Sequence, residues 1–334
     1  MTIHVRKPGL LTTVQDAGRY GYQKYGVIVS GVMDSFAHRT ANLLVGNDEQ
    51  AASLEMTIIG PSLYFEAAAL IAVCGSDFSA KADGMPVPMW RPVYIKAGTT
   101  LEFGSSREGC RGYLAVSGGM DVPKHMNSYS TYLRAGFGGF EGRALKEGDL
   151  LQLKPVTALG RKMLRRLESE AGETAFHSVK WRISYEIMPA YKPNPEIRVI
   201  PGAQYDLFDS DCIEALLSSE FKVQPQSDRM GYRLAGQPLA MLERKEMLSE
   251  PVTFGTIQVP PDGNPIVLMA DRQTTGGYPK VAQVITADLP LLAQAQIGSG
   301  VRFKLADLHE AQEAYLLTEW NLINLRKSIQ MYFL

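Results

Sequence analysis

The chain of 334 residues has only three cysteines, Cys74, Cys110 and Cys212, far apart and odd in number. They make a poor disulfide framework and fit a reducing compartment. There is no excess of either charge: 34 Lys and Arg stand against 35 Asp and Glu, for a formal net charge of -1. No global field draws it to nucleic acid or to an anionic membrane. The longest apolar run, near Ala67 to Cys74, is far shorter than a membrane span. The opening Met1-Thr2-Ile3-His4-Val5-Arg6-Lys7-Pro8 has no apolar h-region, so no signal peptide is expected and the expected location is cytoplasmic.

Common catalytic machinery is missing too. There is no G-x-x-x-x-G-K-[ST] phosphate loop and no G-x-G-x-x-G opening a helix. No serine lies in G-x-S-x-G. His309-Glu310 lacks the second histidine of a zinc protease, and the scattered histidines predict no metal site. No Met-Lys-Met biotin-attachment motif occurs.

What is present is β-rich. Hydrophobic residues make up 45% and charged residues 21%, a globular balance, and the length suggests two domains. Short strands recur, among them 62–66, 69–73, 93–96, 100–103, 111–117 and 149–153, with turn residues about every 8–12 positions. That spacing favours a barrel or sandwich over βαβ units. A helix over 35–45 is capped by Asp34 or Ser35 and ended by Gly46. The charged stretch 156–182 reads as a linker with a short solvated helix. Beyond it come strands over 196–200, 252–259 and 266–270. Helices are expected over 209–220, after Asp288 with Pro290 in the first turn, and from Asp307 with Glu310 completing a capping box. The division expected is 1–185 and 186–334.

Five polar, glycine-bearing segments stand out. In 9–21, Asp16 and Arg19 either pair to fix a turn or bind a polar ligand. In 30–34, the amides leading into the helix make an anion site that Asp34 itself can fill as the cap. His38 and Arg39 lie one turn further on. In 131–143, Arg134, Gly138, Gly139 and Arg143 combine amides exposed by glycine with forked guanidiniums, as phosphate or carboxylate recognition requires. Ser227-Asp228-Arg229-Met230-Gly231-Tyr232-Arg233-Leu234 is the fourth. The fifth, Asp271-Arg272-Gln273-Thr274-Thr275-Gly276-Gly277-Tyr278-Pro279-Lys280, follows an apolar strand, where a barrel would open.

In this order the segments resemble the allophanate-hydrolase subunit 2 family, also described as the biotin-dependent carboxyltransferase family. The matching stretches are 12–19, 30–34, Ser117-Gly118-Gly119-Met120-Asp121-Val122-Pro123, 138–143, 227–231 and 274–280. Val32 departs from the family's usual Ala, a small change in size. The resemblance implies a mainly β fold of two cyclophilin-like β-barrel domains with a few helices. A separate chain of this length is similar to the subunits of bacterial ATP-dependent 5-oxoprolinases, which cleave 5-oxo-L-proline to L-glutamate. That implies two partner polypeptides, the A and B subunits, the latter KipI-like, and ATP bound here or on a partner. It also implies a binding role, counteracting the KipI inhibitor of a sporulation histidine kinase. The family's fusion members suggest instead a carboxyltransferase for urea or a related amide, with biotin carried on another chain.

Lactam opening is slow because amide resonance blunts the carbonyl. Phosphorylating its oxygen makes a leaving group, and the phosphate and developing oxyanion then need donors. Two donor sets are expected: Arg134 and Arg143 with the 136–139 amides, or Arg272 and Lys280 with the nearby hydroxyls. Asp228 or Asp271 would orient the water or a metal. Arg19, Asp34, Arg229, Thr274, Thr275, Gly276, Gly277 and Tyr278 complete the candidate binding residues.

Overall fold

The computed structural model describes residues 1–241 and 247–333. The chain is mainly β and forms two compact units. One comprises Met1–Gly18, Asp34–Pro189 and Glu319–Leu334; the other comprises Arg19–Met33 and Ala190–Thr318. Compared with a single cut at 185/186, three segments lie in the other unit, the shortest being 186–189, which belongs to the first. Residues 19–33 join the second unit, where Met33 is part of the apolar core. The end of the last helix joins the first, where Glu319 takes both Nη atoms of Arg39 at 2.5 and 2.7 Å.

In the first unit two six-stranded sheets enclose one core. One sheet runs 150–152, 2–7, 62–65, 100–102, 81–82, 85–86, and the other 176–178, 93–95, 69–75, 111–116, 53–57, 11–15. Alternation assigns the faces. Leu54, Met56, Ile71, Val73, Leu114 and Val116 point into the core. The opposite face of the second sheet lies beneath helix α1 (Ser35–Leu44), which packs on strands 69–75 and 111–116. Both faces of strand 69–75 are covered, so all seven residues are buried.

Helix α2 (Ala158–Ala171), capped by Thr157, occupies the charged stretch. It is not merely solvated: Met163, Leu167 and Ala171 recur at helical spacing and are buried.

The second unit is a closed seven-stranded barrel in the order 196–201, 280–284, 256–258, 266–268, 231–235, 221–223, 300–305. Its closing pair, 300–305 with 196–201, is parallel, and the other pairs are antiparallel. Ile197, Val199, Leu234, Ile257, Val267 and Phe303 fill it. Helices α3 (Ser210–Ser218, capped by Asp209) and α4 (Leu289–Ala293) add Leu216 and Leu292 to that core. Helix α5 (Leu308–Phe333) closes the chain, with Asp307 accepting from the Glu310 amide at 2.7 Å as its cap. Among the described residues, no helix is long and apolar enough to cross a membrane.

Candidate functional site

The polar segment 271–280 lies on the barrel of the second unit. Asp271 follows the buried Met269 and Ala270, and its carboxylate is held by Arg229, Nε to Oδ2 and Nη2 to Oδ1, both at 3.0 Å. A second bond from Arg229 Nη2 reaches the Gly31 carbonyl at 2.5 Å. The backbones join as well, Asp271 N–H donating to the Arg229 carbonyl at 2.7 Å. Asp271 and Arg229 thus tie three segments of the unit together, and both carboxylate oxygens are engaged.

The next residue, Arg272, is also buried, at 8% exposure. Its Nη1 donates to the Met269 carbonyl at 3.4 Å, and its guanidinium lies 5.9 Å from the centre of the Phe254 ring. Burial pushes its pKa down, and Tyr20 and Asp271 work in the opposite direction.

Lys280 is buried in the adjoining strand, where its ammonium pairs with Glu250. That pairing holds the Glu250 carboxyl below its ordinary range. The Lys280 amide donates to Gln204 Oε1 at 3.1 Å. Nearby, the buried Gln258 donates from Nε2 to the Tyr278 carbonyl at 3.2 Å. A side chain at Gly276 would meet Gln258 Nε2 at 2.5 Å, so glycine lets the Thr275–Gly276 strand lie against that amide.

Register separates the two buried cations along the barrel. Lys280 pairs with Gln258, which also faces Ile266. At the other end of that short ladder, Thr256 pairs with Gln283 and the Gly255 amide donates to the Leu268 carbonyl. Arg272 follows Leu268 and adjoins Phe254, so it belongs to this second end. The expected pair, Arg272 with Lys280, is therefore two separate positions. Thr274, Thr275, Gly277 and Tyr278 run between them, with Tyr278 44% exposed.

The other expected residues have defined local work. Asp228 is exposed, and its Oδ1 accepts from the Met230 and Gly231 amides at 2.8 and 3.3 Å, an Asx-type turn. Arg19 is fully buried, with its amide donating to the Val29 carbonyl at 2.7 Å. In the first unit Arg134 is exposed. Arg143 is held by two carboxylates, Asp149 at 2.7 and 2.8 Å and Glu141 at 2.6 and 3.1 Å. Gly138 and Gly139 are buried, and a Cβ on Gly139 would lie 1.8 Å from Thr131 Oγ1. Their loop is packed upon itself. The Asp16 carboxylate accepts from Ser128, Tyr129, Ser130 and Gly18 at 2.6–2.9 Å. Asp34 caps α1 through the Ala37 amide at 2.9 Å.

Beneath α1 lies a buried polar row that sequence reading did not single out. Cys74, Tyr113, Glu55 and Thr13 are consecutive cross-strand partners on one sheet face. Tyr113 Oη donates to Glu55 at 2.7 Å and accepts from the Asp34 amide at 2.8 Å. Burial, then the charges of Glu55 and Asp34, push the Tyr113 hydroxyl well up. His38 Nδ1 meets Ser53 Oγ at 2.8 Å, and burial pushes its pKa down to about 4 despite Asp16 and Glu55. The signal for this row was the alternation Ser53-Leu54-Glu55-Met56, which puts a glutamate on the face opposite the core. Glu250 carried no such local signal. Among the described residues no cluster of three or more His, Cys, Asp or Glu is arranged for a metal.

Comparisons with known proteins accord with this architecture. The family of the carboxyltransferase domain, subdomain A and B, matches residues 25–305. The chain is 37% identical over 317 residues to the C subunit of 5-oxoprolinase from Haemophilus influenzae, covering 95% of each. It is 39% identical over 313 residues to the C subunit of 5-oxoprolinase from Escherichia coli, covering 93% of this chain and 94% of that one. The crystal structure of Kluyveromyces lactis urea carboxylase superposes with a TM-score of 0.86 at 30% identity. That match takes in 97% of this chain and 29% of that longer protein. With the family match and the relatives both spanning most of its length, the chain belongs to the biotin-dependent carboxyltransferase family, as a carboxyltransferase domain of subdomains A and B.

Proposed function

We propose that this chain is the C subunit of an ATP-dependent 5-oxoprolinase, acting with the A and B subunits, the latter KipI-like. The observation that carries the reading is end-to-end likeness: both C-type relatives are covered over at least 94% of their length at 37–39% identity. The reaction is then assembled by several polypeptides, and this one supplies part of the chamber. ATP transfers its γ-phosphoryl group to the lactam oxygen and leaves as ADP. Water adds to the activated carbon, and the ring C–N bond breaks with its electron pair on nitrogen, which takes a proton. A further water releases phosphate, leaving L-glutamate. Positive groups fixed in a dry setting favour such a sequence, because they need no reorganisation as charge develops. Arg272 is a group of that kind, buried at the barrel, whereas Lys280 already carries Glu250.

The superposition on urea carboxylase favours a second reading, a carboxyltransferase acting on urea or a related amide with biotin carried by another chain. The two readings separate in cells. Deleting the gene should leave 5-oxoproline to accumulate, and restoring it should clear the metabolite. A deletion strain that consumes 5-oxoproline normally contradicts the first reading.

A further inference from the structure

Arg272 and Arg229 adjoin the same carboxylate-bearing residue and are buried alike, at 8% and 6% exposure, yet their surroundings are opposite. Arg229 has the whole Asp271 carboxylate. Among the described residues, Arg272 makes no ion pair, and its buried Nε has no hydrogen-bond partner. One long bond to the Met269 carbonyl and the face of Phe254 are what it has.

A guanidinium stays charged throughout the physiological range. Taking it out of water costs several kcal/mol, which native folds ordinarily offset with a paired carboxylate. An aromatic face compensates only in part. Asp271, next in the chain, offsets this burial only at a distance, since both of its oxygens are bound by Arg229 and neither pairs with Arg272. The counter-charge absent from the described residues is what a bound anion supplies. The buried Nε edge, left without a partner, suits two oxygens held in a plane.

We infer that Arg272 is the anion-binding residue of the barrel unit and takes a small oxyanion along its Nε edge. This deepens the proposed function and rests on it for the anion's source: the carboxylate of 5-oxoproline, or a phosphate oxygen of ATP. The site is one residue away from the Arg229–Asp271 pair, which holds the backbone beneath it.

The test is thermal unfolding of the full chain, alone and with saturating 5-oxoproline, ATP or inorganic phosphate. A ligand that binds only the folded chain raises its midpoint. The parent chain should respond saturably to 5-oxoproline or to the phosphate-bearing probes, and which class acts identifies the source. Arg272→Met removes an uncompensated buried charge, so the variant without ligand should be at least as stable as the parent. Its response to the probe should vanish. Arg272→Lys, which keeps the charge without the fork, should retain a weakened response. The inference is overturned if no probe moves the parent, if Arg272→Met responds as the parent does, or if that variant is less stable or unfolded. Should it fall while the complete three-component mixture still consumes 5-oxoproline, the site is wrong and the proposed function stands.

Discussion

Arg229 and Asp271, 42 residues apart, form a buried two-bond fork with both contacts at 3.0 Å. Removing one member leaves the other charged and buried. Asp271→Ala should therefore lower stability by about 3–5 kcal/mol, the usual cost of breaking a buried pair. Urea denaturation read by tryptophan fluorescence measures it. A loss comparable to that of an exposed pair would show that solvent reaches the site.

Gly139 adopts φ +55, and a Cβ there would overlap Thr131 Oγ1 at 1.8 Å. Thr131 cannot simply rotate away without cost, since its hydroxyl donates to the Val14 carbonyl at 2.9 Å. Gly139→Ala should lower the unfolding midpoint distinctly. Gly98→Ala, also at positive φ but with nothing within 4 Å of its Cβ, should cost only the roughly 1 kcal/mol of left-handed strain. Equal effects at the two positions would contradict close packing of the 131–143 loop.

Glu319 has its carboxyl held below the ordinary value of 4.5, chiefly by the hydrogen bonds from Arg39. A carboxylate depressed in the folded state binds fewer protons there than in the unfolded chain. Its contribution is present above about pH 4.5 and is lost as pH falls through its folded pKa. Glu319→Gln should flatten that part of the acid-denaturation curve. An unchanged acid limb would rule out the Arg39–Glu319 contact in solution.

His38 is lowered from 6.5 to about 4 by burial. The unfolded chain thus takes up a proton first, and stability from this group, complete above about pH 6.5, declines as pH falls toward 4. The shift corresponds to about 3 kcal/mol. The imidazole should remain neutral at pH 5.5 in an NMR titration. An ordinary midpoint near 6.5 would show that the space beneath α1 is wet.

Much of the architecture was legible from local chemistry. Asp34, one of the two caps expected for its helix, and Asp307 cap their helices, and Asp209, where a helix was expected to begin, caps α3. The strands expected at 62–66, 93–96 and 196–200 appear within a residue or so of those bounds. Polarity misled where one face of an element is buried. Arg161, Lys162, Arg165 and Arg166 hid the apolar stripe of α2. The stretch 9–21 drew attention for Asp16 and Arg19, yet 11–15 is a strand paired with 53–57. Asp16 finds its hydroxyl partners at Ser128 and Ser130, over 110 residues away. Partnerships of that range leave no local trace. Among the candidate ligand-binding arginines, Arg229 finds its carboxylate 42 residues away, whereas both partners of Arg143 lie close in sequence. Arg143, Arg229 and Arg272 look alike in sequence, and only folding shows which of them already have carboxylates.

In the function proposed here, the chain works as one part of an amide-opening enzyme assembled from several polypeptides. The direct measurement is 5-oxoproline-dependent ADP release by the purified chain, alone and mixed with its A and B partners. Turnover by the mixture and none by the chain alone is the result predicted. A full rate from the isolated chain, or a complete mixture that releases no ADP in response to 5-oxoproline, would contradict it.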